Sequence, residues 1–170
     1  YNDSQASAEV AAARLADGFT AVKFDPAGPY TVYDGRMPDQ EALTRSADFC
    51  REIRTAVGDR ADLLFGTHGQ FTAAGALRLA QRIEAYDPLW FEEPCPPDMP
   101  EEMARVAAGT SIPVATGERL CSKYEFARVL QTGAAAILQP NLGRAGGILE
   151  GKKIAAMAEA HYVQIAPHLY

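Results

Sequence analysis

Trp90-Phe91-Glu92-Glu93-Pro94 is answered one unit later by Ala115-Thr116-Gly117-Glu118. In each, a short apolar run, 89–91 and 112–115, reads as a buried strand, and a carboxylate sits where that strand should end. Asp, Glu and Gly are poor strand residues, so the chemistry falls at a strand's C-terminal tip rather than in its middle. Glu92 and Glu118 lie 26 residues apart, the length of a strand, a loop and a helix. The same interval counted back from Glu92 reaches Gly66, two residues before His68, and the later tips fall at Asn141 and His168. Polar residues recurring at successive tips describe one rim of a parallel barrel, where enzymes of that architecture keep their active sites.

The rest of the chain supplies the intervening elements. A helix is predicted over 7–17, closed by Gly18, with Val10 and Leu15 on its apolar side. A strand over 19–24 ends at Asp25-Pro26, and 27–38 form a long loop on the tip side. Asp39 caps a helix to Val57; a strand follows over 62–66, then a helix from Thr72 to Tyr86. After the strand at 89–91 come a helix over 99–108, the strand at 112–115, a helix over 122–132 and a strand over 135–139. Gly146-Gly147 opens a helix to Ala160, and a strand over 162–166 leads into Pro167-His168.

Strands alternating with helices, without hairpin turns between strands, imply an α/β fold with a parallel sheet. An open doubly wound sheet satisfies the pattern alone, but a closed barrel is what brings every tip to one place. The reading is a (β/α)8 TIM-type barrel in one domain, 1–170, incomplete and covering about its second to seventh strands. Exposed edges of such a sheet are poorly tolerated, so an N-terminal part and a closing strand are expected outside this stretch.

Composition narrows the partners. The 170 residues carry a net charge of −6 and a pI near 5.1, which argues against nucleic acid or an anionic membrane. No apolar 18-mer is present, so no membrane span is expected. Cys50, Cys95 and Cys121 are odd in number and lack metal-type spacing, which predicts reduced thiols and a cytoplasmic location.

FEEP at 91–94, ATGE at 115–118, QPN at 139–141 with AGGI at 145–148, and APH at 166–168 come in a fixed order. Together they resemble the C-terminal barrel of the enolase superfamily, in its mandelate racemase/muconate lactonizing enzyme-like group. Within that group the acid-sugar dehydratases of the galactonate dehydratase type are most similar. The resemblance covers essentially the whole chain. It implies an N-terminal capping domain absent from this stretch, a homo-oligomer, and one Mg²⁺ (or Mn²⁺, or another divalent metal) held by carboxylates at three successive tips. Glu92 and Glu118 match the second and third of these. His168 matches the general base and His68 the histidine that acts as acid in the dehydratases. The implied reaction removes the α-proton of a sugar acid, passes through an enediolate and yields a 2-keto-3-deoxy acid. Hard oxygen ligands suit Mg²⁺, and its charge makes a weakly acidic proton removable by an imidazole.

Three positions depart from the family's pattern. Gly66 stands where the first metal carboxylate belongs, Asn141 replaces the aspartate that partners the base, and Asp25 replaces a second lysine after Lys23. Lys23 and Asp25 share one strand face by the period of two, so Lys23 is a candidate site residue and Asp25 a candidate to approach the metal. His68 is a second candidate for that place, although imidazole suits Zn²⁺ or Fe²⁺ better. Glu93 should face away from Glu92 and serve as an ion-pair partner. His161 reads as a helix-end dipole partner, and Gly146-Gly147 as a closely packed turn. A sugar-acid cycloisomerase or racemase needs the same enediolate, and Gly66 favours a third alternative, a sugar-acid-binding paralogue without turnover.

Overall fold

The computed structural model describes residues 3–28 and 35–169. Six strands, β1 (Ala21–Phe24), β2 (Asp62–Gly66), β3 (Trp90–Glu92), β4 (Val114–Thr116), β5 (Ile137–Leu138) and β6 (Gln164–Ile165), form one sheet in chain order. Every pairing is parallel. Helices α1 (Ser4–Ala16), α2 (Gln40–Val57), α3 (Ala73–Ile83), α4 (Pro100–Ala108), α5 (Lys123–Thr132) and α6 (Gly147–Ala160) alternate with them. Each helix packs against the next in sequence. Sequential parallel order with helices between is the barrel topology expected, here with β1 and β6 at the two edges.

The sheet has two chemically distinct faces. Phe24, Phe65, Phe91, Val114 and Leu138 pack with Leu43, Leu79, Ile83, Met103, Phe126 and Ile154 from the helices, while Val22 and Leu63 join Phe49, Ile53 and Val57 in a second cluster. Phe65 takes Phe24 and Phe91 edge-to-face at ring-centre distances of 5.6 and 5.8 Å. The opposite face follows from the register. Lys23 is level with Leu64 and Leu64 with Trp90; one pleat on, Gly66 is level with Glu92, Glu92 with Ala115 and Ala115 with Ile137. Neighbours level with one another on a parallel sheet share a face, so this row carries the polar residues.

Local chemistry fixes the ends. Asp39 accepts from the Ala42 N–H at 2.7 Å and Thr72 from the Gly75 N–H at 3.1 Å, as expected of caps. Ser122 and Glu125 form a capping box on α5, and Gly133 closes it in the left-handed region at φ 66°.

Three local expectations need correction. Helix α1 begins at Ser4, because the Asp3 carboxylate accepts the Ala6 N–H at 2.9 Å. Val10 is 57% exposed; Ala8 and Ala11 make the buried stripe instead, and Val10 joins Phe19 and Val22 in lining an apolar groove beside the β1 edge. Gly146 and Gly147 are both required by their backbone, at φ 99° and 84°, and close packing holds only at Gly146, where a Cβ would lie 3.1 Å from Glu150 Cγ. A Cβ on Gly147 would meet nothing within 4 Å. Of the long loop expected over 27–38, residues 29–34 lie outside the described residues. Its end is seen, with Arg36 bridged to Phe71 and donating to Gln70 Oε1 at 2.8 Å. No helix among the described residues is long and apolar enough to cross a membrane.

Candidate active site

The tips of all six strands open on one rim, and the side chains singled out by the sequence meet there. Glu92, at the end of β3, is buried, and both its oxygens are gripped. Lys23 Nζ donates to Oε1 at 2.5 Å and Gln139 Nε2 to Oε2 at 2.7 Å. Three residues from β1, β3 and the end of β5 thus form one charge-assisted chain across the polar face. Lys23 and Asp25 share that face as the alternation requires, but they reach different partners. Asp25 Oδ2 is bonded to His68 Nδ1.

Glu118 follows Gly117, whose φ of 141° and crowding leave room for glycine alone. A Cβ there would lie 2.8 Å from the Phe126 ring and 2.9 Å from the Gln139 nitrogen. This turn carries the Glu118 carboxylate to 3.5 Å from His168 Nε2 and 3.9 Å from Arg119 Nε. His168 is held by a parallel bridge to Asn141, and its Nδ1 is 3.1 Å from Asn141 Nδ2. The Arg144 backbone N–H is shared by the side-chain oxygen and the backbone carbonyl of Asn141, each at 3.0 Å.

Glu93 is the ion-pair partner the alternation implied. It is fully buried, with Arg119 Nε 3.2 Å away, and burial pushes its carboxyl up to about 8 against the pull of Arg119. Arg119 also donates to the His68 carbonyl, so one guanidinium ties the tips of β2, β3 and β4 together. Thr67 Oγ1 donates to the carbonyls of Glu92 and Glu93 at 3.1 and 2.7 Å, bracing the same turn. His68 and Glu93 both sit in the left-handed region, at φ 52° and 43°, which side-chain-bearing residues seldom occupy. Such backbone persists where its surroundings over-determine it, as these hydrogen bonds do. Away from the rim, His161 caps α6, and its ring is bonded to the Met157 carbonyl at 3.0 Å, the helix-end role expected.

The sequence reading gave no role to Gln139, Arg119 or Thr67. Gln139 was within reach, since it stands two residues before Asn141 and so shares a strand face with Ile137. Arg119 and Thr67 carry no periodic signal.

A divalent cation is tested here by the donor chemistry. Glu92 and Glu118 are hard carboxylates at adjacent tips, and Gln139 Oε1 is a buried oxygen beside Glu92 without a hydrogen-bond partner. Mg²⁺ is commonly held by one or two carboxylates, with water and substrate oxygens completing its shell, so this set fits it. A three-carboxylate cage is not what the chain builds. Gly66 supplies no ligand, Asp25 is turned to His68, and among the described residues no three His, Cys, Asp or Glu side chains are grouped to hold an ion.

The Asp25 hydrogen bond raises the affinity of His68 for its proton, against the opposing effect of burial. A pKa raised on folding makes the contact stabilising below the unfolded value of about 6.5, and that contribution is lost as pH rises through the folded value. Thermal melts of the protein and its His68→Asn variant are therefore expected to differ most below about pH 6.5 and to converge as pH rises above it. A gap that widens with pH would contradict the pairing.

The sequence profile described as "Enolase C-terminal domain-like" matches residues 5–170. A D-galactonate dehydratase of Ralstonia nicotianae is 42% identical over 153 residues, covering 90% of this chain and 39% of that protein. Among solved structures, a Labrenzia alexandrii protein of the mandelate racemase/muconate lactonizing enzyme kind superposes with a TM-score of 0.98 at 72% identity. The match covers 100% of this chain and 44% of that one. A mandelate racemase/muconate lactonizing enzyme-like protein from Roseovarius sp. TM1035 gives 0.98 at 64% identity over 99% of this chain and 43% of that one. The chain spans about two-fifths of the length of the curated relatives it matches.

Proposed function

Because the chain belongs to the enolase C-terminal domain-like family, we propose that the protein carrying it dehydrates a sugar acid to a 2-keto-3-deoxy acid. Members of that family work with a divalent metal, and here Glu92 and Glu118 would hold Mg²⁺. When bound, such an ion supplies Lewis acidity toward the substrate carboxylate and makes its α-proton removable. The observation that carries the reading is the convergence of two imidazoles and two carboxylates on one rim of a parallel sheet. His168 is 3.5 Å from Glu118, and His68 is seated on Asp25.

The division of labour follows from the contacts. Lys23, paired with Glu92 at 2.5 Å, adds positive charge on the side where the substrate's carboxylate would lie. The two imidazoles supply a proton acceptor for the α-carbon and a proton donor for the departing hydroxyl. Asn141 and Asp25 orient them. Glu93 and Arg119 hold the turns in place without facing the substrate. The relatives named as D-galactonate dehydratases support a dehydration over a racemisation or cycloisomerisation, which need no departing hydroxyl.

The test is a screen of the protein in full against a panel of aldonic and aldaric acids with Mg²⁺, read as 2-keto acid formed. D-galactonate or a related sugar acid is expected to turn over. Binding of several sugar acids without any 2-keto acid would favour the binding paralogue, for which Gly66 is the argument.

A further inference from the structure

We infer that Gln70 is a positioning residue for His68: its side chain closes the turn that aims this imidazole, and Arg36 holds that side chain in place. The role deepens the dehydration reading, and its kinetic consequence rests on that reading. The hydrogen bonds that define it do not.

The turn runs from the end of β2 at Gly66 to Phe71, which is bridged to Arg36. Its two central residues, His68 and Gly69, lie in the left-handed region at φ 52° and 66°. Glycine takes that conformation freely, whereas a residue with a Cβ keeps it only when its surroundings hold it there. The backbone of His68 also sets where its Cβ points, and so whether its ring reaches Asp25. Turns with positive φ at both central positions ordinarily close when the first carbonyl accepts from the residue three further on. Here the first carbonyl belongs to Thr67, and the residue three further on is Gln70, which reaches it through its side chain. Gln70 Nε2 donates to the Thr67 carbonyl at 2.9 Å.

Each end of the Gln70 amide meets a group of one kind only. The Arg36 guanidinium can only donate, and its Nη2 lies 2.8 Å from Oε1; the Thr67 carbonyl can only accept, and it faces Nε2. Turned over, the amide would set donor against donor at one end and acceptor against acceptor at the other. Gln70 and Thr67 are both fully buried, so water is not at hand to replace either partner. Among side chains of this length only glutamine serves both ends. An ionised glutamate keeps the acceptor for Arg36 but sets a second acceptor against the Thr67 carbonyl. Methionine leaves that carbonyl without its donor.

Arg36 is seated by its backbone as well. Its N–H donates to the Gln70 carbonyl at 3.1 Å, and its own carbonyl accepts the Thr72 N–H at 3.0 Å. Gly75 lets the segment lie this close, since a Cβ there would stand 2.7 Å from Pro38 Cδ and 3.0 Å from the Arg36 carbonyl oxygen. Other ties on the turn come from neighbouring tips. Arg119 donates to the His68 carbonyl, and the Gly69 N–H donates to the Glu93 carbonyl at 2.7 Å. Those ties fix where the turn sits, and Gln70 fixes its internal shape.

An imidazole that moves a proton must stand within hydrogen-bond reach of it. A displacement of about 1 Å costs on the order of 10²-fold in rate. In the proposed site the substrate's carboxylate lies on the Lys23 side rather than on His68, so the loss falls on kcat and not on KM.

The test compares the protein in full with its Gln70→Glu and Gln70→Met variants. Crystal structures locate the His68 ring, and steady-state kinetics use the sugar acid found by the screen, well below each melting temperature. Gln70→Glu keeps the shape of the side chain and its Arg36 partner, so it decides the matter if Gln70→Met does not fold. In both variants the ring is expected to leave Asp25 by about 1 Å or more, with kcat down on the order of 10²-fold and KM within a few-fold. A His68 ring still seated on Asp25 in Gln70→Glu overturns the inference, whatever the rate. So does a displaced ring with kcat kept, or a loss confined to KM, and both leave dehydration standing. A screen without turnover overturns the dehydration reading, and the crystal structures alone then decide whether Gln70 positions His68.

Discussion

Glu118→Gln is expected to lower sugar-acid turnover by about 10²- to 10³-fold, the scale for removing a group aimed at developing charge, and to remove most Mg²⁺ binding. The substitution keeps the shape of the side chain and deletes its charge. Glu118 is delivered to the rim by a turn only Gly117 can make, and it stands between His168 at 3.5 Å and Arg119 at 3.9 Å. It is one of two carboxylates available to the cation, so neutralising it halves the protein's negative charge at that point. Steady-state kinetics beside a calorimetric Mg²⁺ titration are the check, with thermal melts as the control for folding. Glu93→Gln provides the contrast. It replaces a buried carboxyl packed on Arg119 at 3.2 Å and away from the cation, so its effect should appear in the melting temperature before it appears in metal affinity. A Glu118→Gln protein that turns over within tenfold of wild type would place the metal elsewhere.

The rim was legible because strand tips announce themselves. Phe91-Glu92 and Ala115 to Glu118 join apolar runs to residues that strands exclude; the interval between them then locates Gly66, and the ends of the later apolar runs locate Asn141 and His168. The grip on Glu92 was not legible. Lys23 and Gln139 lie 69 and 47 residues from it in sequence, and reach it only because the parallel register sets β1, β3 and β5 on one face. Arg119 meets the His68 carbonyl across 51 residues with no periodicity to betray it. The left-handed backbone at Glu93 was equally hidden, since the residues that advertise such a conformation are Gly, Asn, Asp and His. Local rules also failed where a better competitor stood nearby. The helix expected from residue 7 begins at Ser4, because Asp3 accepts the Ala6 N–H and adds a charge favourable to the helix N-terminus.

Gly66→Asp is expected to tighten Mg²⁺ binding by about 10- to 100-fold, no less than the effect that changes outside the ligand set can produce. The site has room for the side chain. A Cβ on Gly66 would meet Lys23 Cε and the Phe24 carbonyl at 3.7 Å and Asp25 Cβ at 3.8 Å, all ordinary contacts, and its backbone is not in the left-handed region. Gly66 is level with Glu92 on the polar face, so the new carboxylate would stand beside the one already there. It would also stand beside the Lys23 stem and compete with Glu92 for the ammonium, which loosens the 2.5 Å contact and releases a Glu92 oxygen toward the cation. Affinity thus rises for two reasons, a third anionic ligand and a weakened internal rival. Lys23→Met separates them, because it removes the rival without adding a ligand and should give only part of the gain. Asp25→Asn should leave metal affinity within a few-fold, since Asp25 is committed to His68. The decisive comparison is a Mg²⁺ titration of these three variants and wild type by calorimetry. If Gly66→Asp binds no more tightly than wild type, the cation does not sit between Glu92 and Glu118. If wild type binds none at millimolar Mg²⁺ while Gly66→Asp gains both binding and turnover, the natural protein is a sugar-acid binder that has lost the reaction with its third ligand.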